Sequence, residues 1–207
     1  MRQTGLQGRR RPVRRVRTTP ADPTPPATDL VRRAFAPADI GAPGRLWVAD
    51  PTYVATSEGR LYRAAVPDAF GRRVVGWGMA DHPRTDLVLD ALTTALQRRP
   101  PRAGVIRHSD HGRRHTAVAS GARLRAADPV ASVGSVGDRF DHAVAERFFA
   151  TRRVELPSRG EWPTRAAAEG AIFRSIETWD HTRRRHSTLG YLRPAASEEV
   201  QQRAAVA

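Results

Sequence analysis

Three acidic residues stand in apolar surroundings where a carboxylate is costly. Asp50 lies inside Leu46-Trp-Val-Ala-Asp-Pro-Thr-Tyr-Val54, a run that reads as a buried strand, apolar on both faces. Asp110 comes just after a short strand expected over 104–108 and is followed by a glycine turn. Strand ends in α/β sheets are where sites are built. Glu146 interrupts the helical run Ala143-Val-Ala-Glu-Arg-Phe-Phe-Ala150, with His142 and Arg153 on its face. Three such separated acids form an oxygen cage suited to Mg²⁺ or Mn²⁺. In an arginine-rich chain each acid taken alone also reads as a salt-bridge partner, and both readings stay open at this point. His108, His111 and His115 are close enough in sequence to suggest zinc, but they straddle a strand-to-turn change, and a structural or surface role is the simpler reading.

The elements that must hold these acids follow from periodicity. Leu46–Val54, Leu61–Val66 and Arg72–Met79 read as three strands of an antiparallel meander, with Ser57-Glu-Gly-Arg60 as a turn. Thr85–Arg98 has helical apolar spacing at Leu87, Val88, Leu92, Ala95 and Leu96, with Thr85 as its cap and Pro100-Pro101 as its stop. Short strands are expected over 104–108 and 130–133, and helices over 116–127, 141–156 and 164–179. From Thr182 the chain is basic, then irregular or weakly helical. The order is a mixed α/β sheet.

The chain has 207 residues and a formal net charge of +14; its 35 basic residues are all arginine, and it has no cysteine. The last point excludes a disulfide scaffold, a thiolate zinc site and a Cys nucleophile. No run approaches the roughly 18–20 apolar residues that span a membrane. The charge makes a polyanion the default partner, and arginine suits bidentate phosphate contacts. Residues 1–44 read as a basic Pro/Arg-rich arm and linker, with one helical turn over Asp29–Phe35; 45–182 form the core, and 183–207 a basic C-terminal tail carrying Arg183-Arg-Arg-His186.

Five segments in order resemble a known family. Leu46-Trp-Val-Ala-Asp-Pro-Thr-Tyr53 is similar to the opening of the catalytic core of insertion-sequence transposases related to retroviral integrases. Val66-Pro-Asp-Ala-Phe-Gly-Arg-Arg-Val-Val-Gly-Trp77, His108-Ser-Asp-His-Gly112, Gly134-Ser-Val-Gly-Asp138 with Asp141-His-Ala-Val-Ala-Glu-Arg-Phe-Phe149, and Arg184-Arg-His-Ser-Thr-Leu-Gly-Tyr-Leu-Arg-Pro194 continue the likeness. Thirty-five residues separate Asp110 from Glu146, the spacing typical of this group.

The resemblance implies a ribonuclease-H-like fold: a mixed five-stranded sheet flanked by helices. It implies DNA transposition by metal-dependent strand cleavage and strand transfer. Asp50, Asp110 and Glu146 match the acidic catalytic triad, which holds two Mg²⁺ or Mn²⁺ ions. Arg153, Arg183, Arg184, Arg185 and His186 match positions suited to DNA phosphates. The implied partners are transposon-end and target DNA, further copies of the chain on that DNA, and a separate helix-turn-helix subunit; the implied location is the bacterial cytoplasm, at the nucleoid.

The departures are Pro51 in place of an aliphatic residue after the first acid, Pro67 in the second strand, Arg113-Arg-His115, His142, and Asp180-His181. Pro51 is expected either to end one side of the strand's ladder or to sit on a bulge. The helix-turn-helix segment that precedes the core in this family is not recognisable, so a shortened copy is expected. The alternative function is a catalytically impaired remnant that only binds DNA without sequence preference.

Overall fold

Alternating apolar residues set the two faces of the central strand. In β1 (Leu46–Thr56), Leu46 and Val48 enter one core, while Trp47 and Ala49 enter the other. The computed structural model describes residues 28–32, 34–99, 104–109, 130–133 and 162–206. β2 (Gly59–Pro67) and β3 (Val74–Ala80) complete an antiparallel meander with β1. β4 (Ile106–Ser109) and β5 (Val130–Val133) add in parallel on the other side, giving the order β3-β2-β1-β4-β5. This mixed five-stranded sheet, with helices on both faces, is the ribonuclease-H-like arrangement.

α1 (Pro37–Ile40) is short, and α2 (Thr85–Arg98) packs on the Trp47 face. Its buried stripe is Leu87, Val88, Ala91, Leu92 and Ala95. Thr85 is not the cap: Arg84 takes that position in an extended conformation with no side-chain bond, so the helix start rests on packing. α2 lies very close to β3, and glycine makes this approach possible. A β-carbon at Gly76 would stand 2.5 Å from Ala95 N and 2.7 Å from Ala95 Cβ, and would also strike the Ala91 carbonyl. Helix backbone cannot yield as a flexible side chain would. Gly76→Ala is therefore expected to cost about 3 kcal/mol or more, read as a lowered melting temperature.

α3 (Arg165–Arg174) covers the other face with Ala168 and Ile172. Thr164 caps it, accepting from Ala167 N at 3.0 Å. It continues as a π-helical turn, Ser175–Asp180, and the chain ends in a 3₁₀ turn, Ser187–Leu189, and α4 (Pro194–Val206).

Val31, Phe35 and Ile40 are buried in the α3-side core, although they fall in the stretch expected as arm and linker. The helical turn expected over Asp29–Phe35 is an Asx turn instead. Asp29 Oδ1 accepts from Val31 N and Arg32 N at 2.9 and 3.0 Å, and Arg32 takes a positive φ of 46° that helix does not allow. Helix forms later, with Pro37 in its first turn.

The two strand prolines sit differently. β1–β2 pairing runs through Pro51, opposite Ala64, without a register shift or bulge. Pro67 closes β2 at a register shift after Val66. The helices expected over 116–127 and 141–156 lie outside the described residues.

Candidate functional site

Asp50 follows Ala49, whose partner Ser109 is the last described residue of β4. Its own register partner is Ala65, which pairs in turn with Trp77 of β3. Asp110, Glu146 and Arg153 lie outside the described residues, as do His111 and His115. Among the described residues there is no group of three or more His or acidic side chains arranged to hold a metal. His108 is buried, with Nδ1 3.1 Å from Ser132 Oγ and its ring edge-on to Phe35. That is the structural role the simpler reading assigns it.

The arginine run follows the π-helical turn that continues α3. α3 begins at the β1–β2 turn, where Glu58 Oε2 accepts from Arg165 N at 2.9 Å. It ends at the start of β3, where His181 Nε2 accepts from Val74 N at 3.2 Å. Val74 is three residues before Trp77, about 10 Å along the strands from the Asp50 row. Arg183 and Arg185 are exposed there. Arg184 is partly buried, 3.5 Å from Asp180 Oδ1. His186 opens a tight turn, accepting from Tyr191 N and donating to Leu192 O. Not every arginine is available to phosphate: Arg63 and Arg107 are buried in strands, and burial lowers the pKa of Arg107.

Two charged networks were not foreseen from the sequence. Asp68, fully buried, accepts from Gly44 N at 2.7 Å, Phe70 N at 3.0 Å and Arg99 at 2.9 Å. Arg99 also binds Glu198, which accepts from Arg73 at 2.8 Å. Burial pushes the Asp68 carboxyl up, and the bonds from Gly44, Arg99, Phe70 and Gly71 offset part of that. Arg99 is in place because it leaves α2 in an extended conformation, as a residue before proline does. The one sequence signal was Asp68 inside the Val66–Trp77 segment.

The second network centres on Glu177 in the π-helical turn. It accepts from Trp77 Nε1 at 3.3 Å and from Arg98, and lies 3.4 Å from His181 Nδ1. Partial burial pushes its carboxyl up, but the Arg98 and Trp77 bonds and the Arg98 and His181 charges outweigh this and hold it below the usual range. A depressed carboxylate contributes stability that is complete above the unfolded value of about 4.3 and is lost as pH falls through the lower folded value. Glu177→Gln is therefore expected to narrow the stability difference between neutral and acidic pH, measured as melting temperature against pH.

Residues 41–137 match the Integrase core domain family. The chain is 37% identical over 158 residues to the transposase for insertion sequence element IS904 of Lactococcus lactis, covering 76% of this chain and 62% of that protein. It is 38% identical to the IS629 transposase of Shigella sonnei over 187 residues, 90% of this chain and 62% of the relative. It is 40% identical to the putative IS986/IS6110 transposase of Mycobacterium tuberculosis over 190 residues, 88% of this chain and 67% of the relative. The chain thus spans about three-fifths to two-thirds of the length of these relatives. Among solved structures, the BIV integrase catalytic core domain aligns at 16% identity and TM-score 0.49, covering 78% of this chain and 95% of that one. The HTLV-2 integrase catalytic core domain in complex with magnesium aligns at 12% and 0.46, covering 66% and 89%. On the sequence relatives, the chain belongs to the insertion-sequence transposases that carry an integrase core.

Proposed function

We propose that this chain is the strand-cleaving and strand-joining core of its transposase, with Asp50, Asp110 and Glu146 as the residues that hold two divalent cations, Mg²⁺ or Mn²⁺. The observation that carries the reading is the parallel pairing Ala49↔Ser109 between β1 and β4. Asp50 and Asp110 each follow one member of that pair in the sequence, next to where adjacent parallel strands meet. The donor set fits hard cations, since carboxylate oxygens prefer Mg²⁺ or Mn²⁺ to softer metals. The bound ions would supply activation of the attacking hydroxyl and neutralisation of charge at the leaving 3′-oxygen.

The protein's own work is alignment. Carboxylates fix the reacting centre, and arginines hold the phosphates on either side, so no Ser or Cys nucleophile is needed. Arg153, Arg183, Arg184, Arg185 and His186 are the phosphate-binding residues in this reading, and transposon-end and target DNA the substrates. Assembly of several copies on that DNA, with a helix-turn-helix partner subunit, belongs to the same proposal.

The test is a nicking and joining assay on element-end duplex with and without Mg²⁺ or Mn²⁺. Metal-dependent products support the reading; tight binding without any product overturns it in favour of a DNA-binding remnant. In parallel, the salt dependence of affinity is expected to report the phosphate contacts. Replacing the exposed Arg183 and Arg185 together by alanine is expected to reduce the log–log salt slope by about 2, at ~0.9 per phosphate contact. An unchanged slope would show that the run is solvated charge only.

A further inference from the structure

Beyond Ala49, β1 and β2 stay paired from Asp50↔Ala65 to Thr56↔Gly59. β3 accompanies β2 as far as Tyr62↔Ala80, and the pairs beyond it extend past β3 as a ribbon. At the base of that ribbon Tyr53 faces Tyr62 across the strands, ring centres 6.0 Å apart. The guanidinium of Arg60 lies over the Tyr53 ring, 4.7 Å from its centre. Tyr53 is 52% exposed and Arg60 is exposed, so a cation–aromatic stack is presented to solvent. Arg165 joins it: its Nε donates to Arg60 O at 3.3 Å.

A cross-strand tyrosine pair stabilises a ribbon without any ligand. That does not account for an arginine stacked outward on an exposed ring in a chain of net charge +14. The planar face of a stacked guanidinium takes a base, and its edge takes a phosphate. Tyr53 is three residues, about 10 Å, beyond Asp50 along β1. Along β1 it shares the face of Pro51, while position 50 falls on the other face.

We infer that Tyr53, Arg60 and Tyr62 form a stacking platform for an unpaired nucleotide of the bound DNA. This rests on the function proposed above and deepens it by naming single-stranded DNA as the ligand. Bases within a duplex are already stacked and cannot lie on such a platform, whereas every unpaired base can.

The experiment uses the full chain, without metal, at about 0.15 M salt, where exposed charge is screened within about 8 Å. The probes are a blunt duplex and the same duplex with a short single-stranded tail carrying 2-aminopurine. The expected results are fluorescence quenching of the tail on binding and tighter binding of the tailed probe. Tyr53→Leu is expected to weaken tailed binding about tenfold, leave blunt binding within about twofold and abolish quenching, while Tyr53→Phe keeps both. Arg60→Gln is expected to weaken the preference without altering the ribbon's aromatic pair. Absence of quenching with the unmodified protein overturns the inference. So does an equal loss of blunt and tailed binding in Tyr53→Leu, which would mark a duplex-groove contact. Since no metal is present, the result is independent of catalysis: quenching without any metal-dependent nicking sinks only the proposed function, and nicking without quenching sinks only the platform.

Discussion

Asp50→Asn is expected to remove metal-dependent cleavage and joining while leaving DNA binding nearly unchanged. The substitution keeps the size of the side chain and removes one charge. Charge stabilisation by a bound divalent ion is worth several kcal/mol in a transition state. At about 1.4 kcal/mol per factor of ten, its loss lowers the rate about a thousandfold or more. Binding survives because arginine, not the acid, supplies the phosphate affinity. Asp110→Asn and Glu146→Gln are expected to behave alike. The measurements are nicking rate and duplex affinity for each variant beside the unmodified chain. Retained metal-dependent cleavage in any one variant would remove that residue from the site. Loss of both binding and cleavage would point to damage to the fold, so melting temperatures accompany each assay.

Asp68→Asn is expected to be the most damaging change away from the proposed site. The carboxylate is fully buried and accepts from backbone amides, Gly44 and Phe70 among them, and from Arg99. An amide turns one acceptor into a donor, aimed at groups that are themselves donors. It also leaves Arg99 to pair with Glu198 alone among its two carboxylate partners. Breaking a buried ion pair from one side costs about 3–5 kcal/mol. For a chain of this length each kcal/mol lowers the melting temperature by roughly 2–4 °C, so a fall of about 10 °C is expected. Replacing Asp68 and Arg99 together by apolar residues is expected to cost less than the sum of the single changes, because no charge is then stranded. Additive losses in that double-mutant cycle would show that the two side chains act independently.

Local pattern made much of this fold legible. Leu46–Val54, Leu61–Val66 and Arg72–Met79 overlap β1, β2 and β3, because strand periodicity and turn residues are encoded over a few neighbours. The α2 span over Thr85–Arg98 was readable for the same reason, its apolar stripe being continuous in sequence. The family was legible because five separated segments occurred in order. Asp50 could be singled out because a carboxylate in an apolar strand is conspicuous wherever the strand ends up.

What tertiary structure decided involves residues distant in sequence. Gly44, Asp68, Arg99 and Glu198 meet only because the start of β1, the β2–β3 turn, the end of α2 and α4 converge. No spacing rule joins those positions, and the Asp68 carboxylate reads locally as an ordinary turn residue. Asp180-His181 stood out in the sequence as a departure, yet only the packing of α3 on β3 shows His181 accepting the Val74 amide beside Glu177. Gly76 reads as a weak strand residue until α2 is laid across it. Val31, Phe35 and Ile40 look like isolated apolar residues in a proline-rich stretch, because their burial comes from the sheet and α3 and not from one another. The sequence by itself determined the elements and the family; long-range packing decided which charges are buried together, since a desolvated carboxylate is tolerable only where the folded chain brings donors to it.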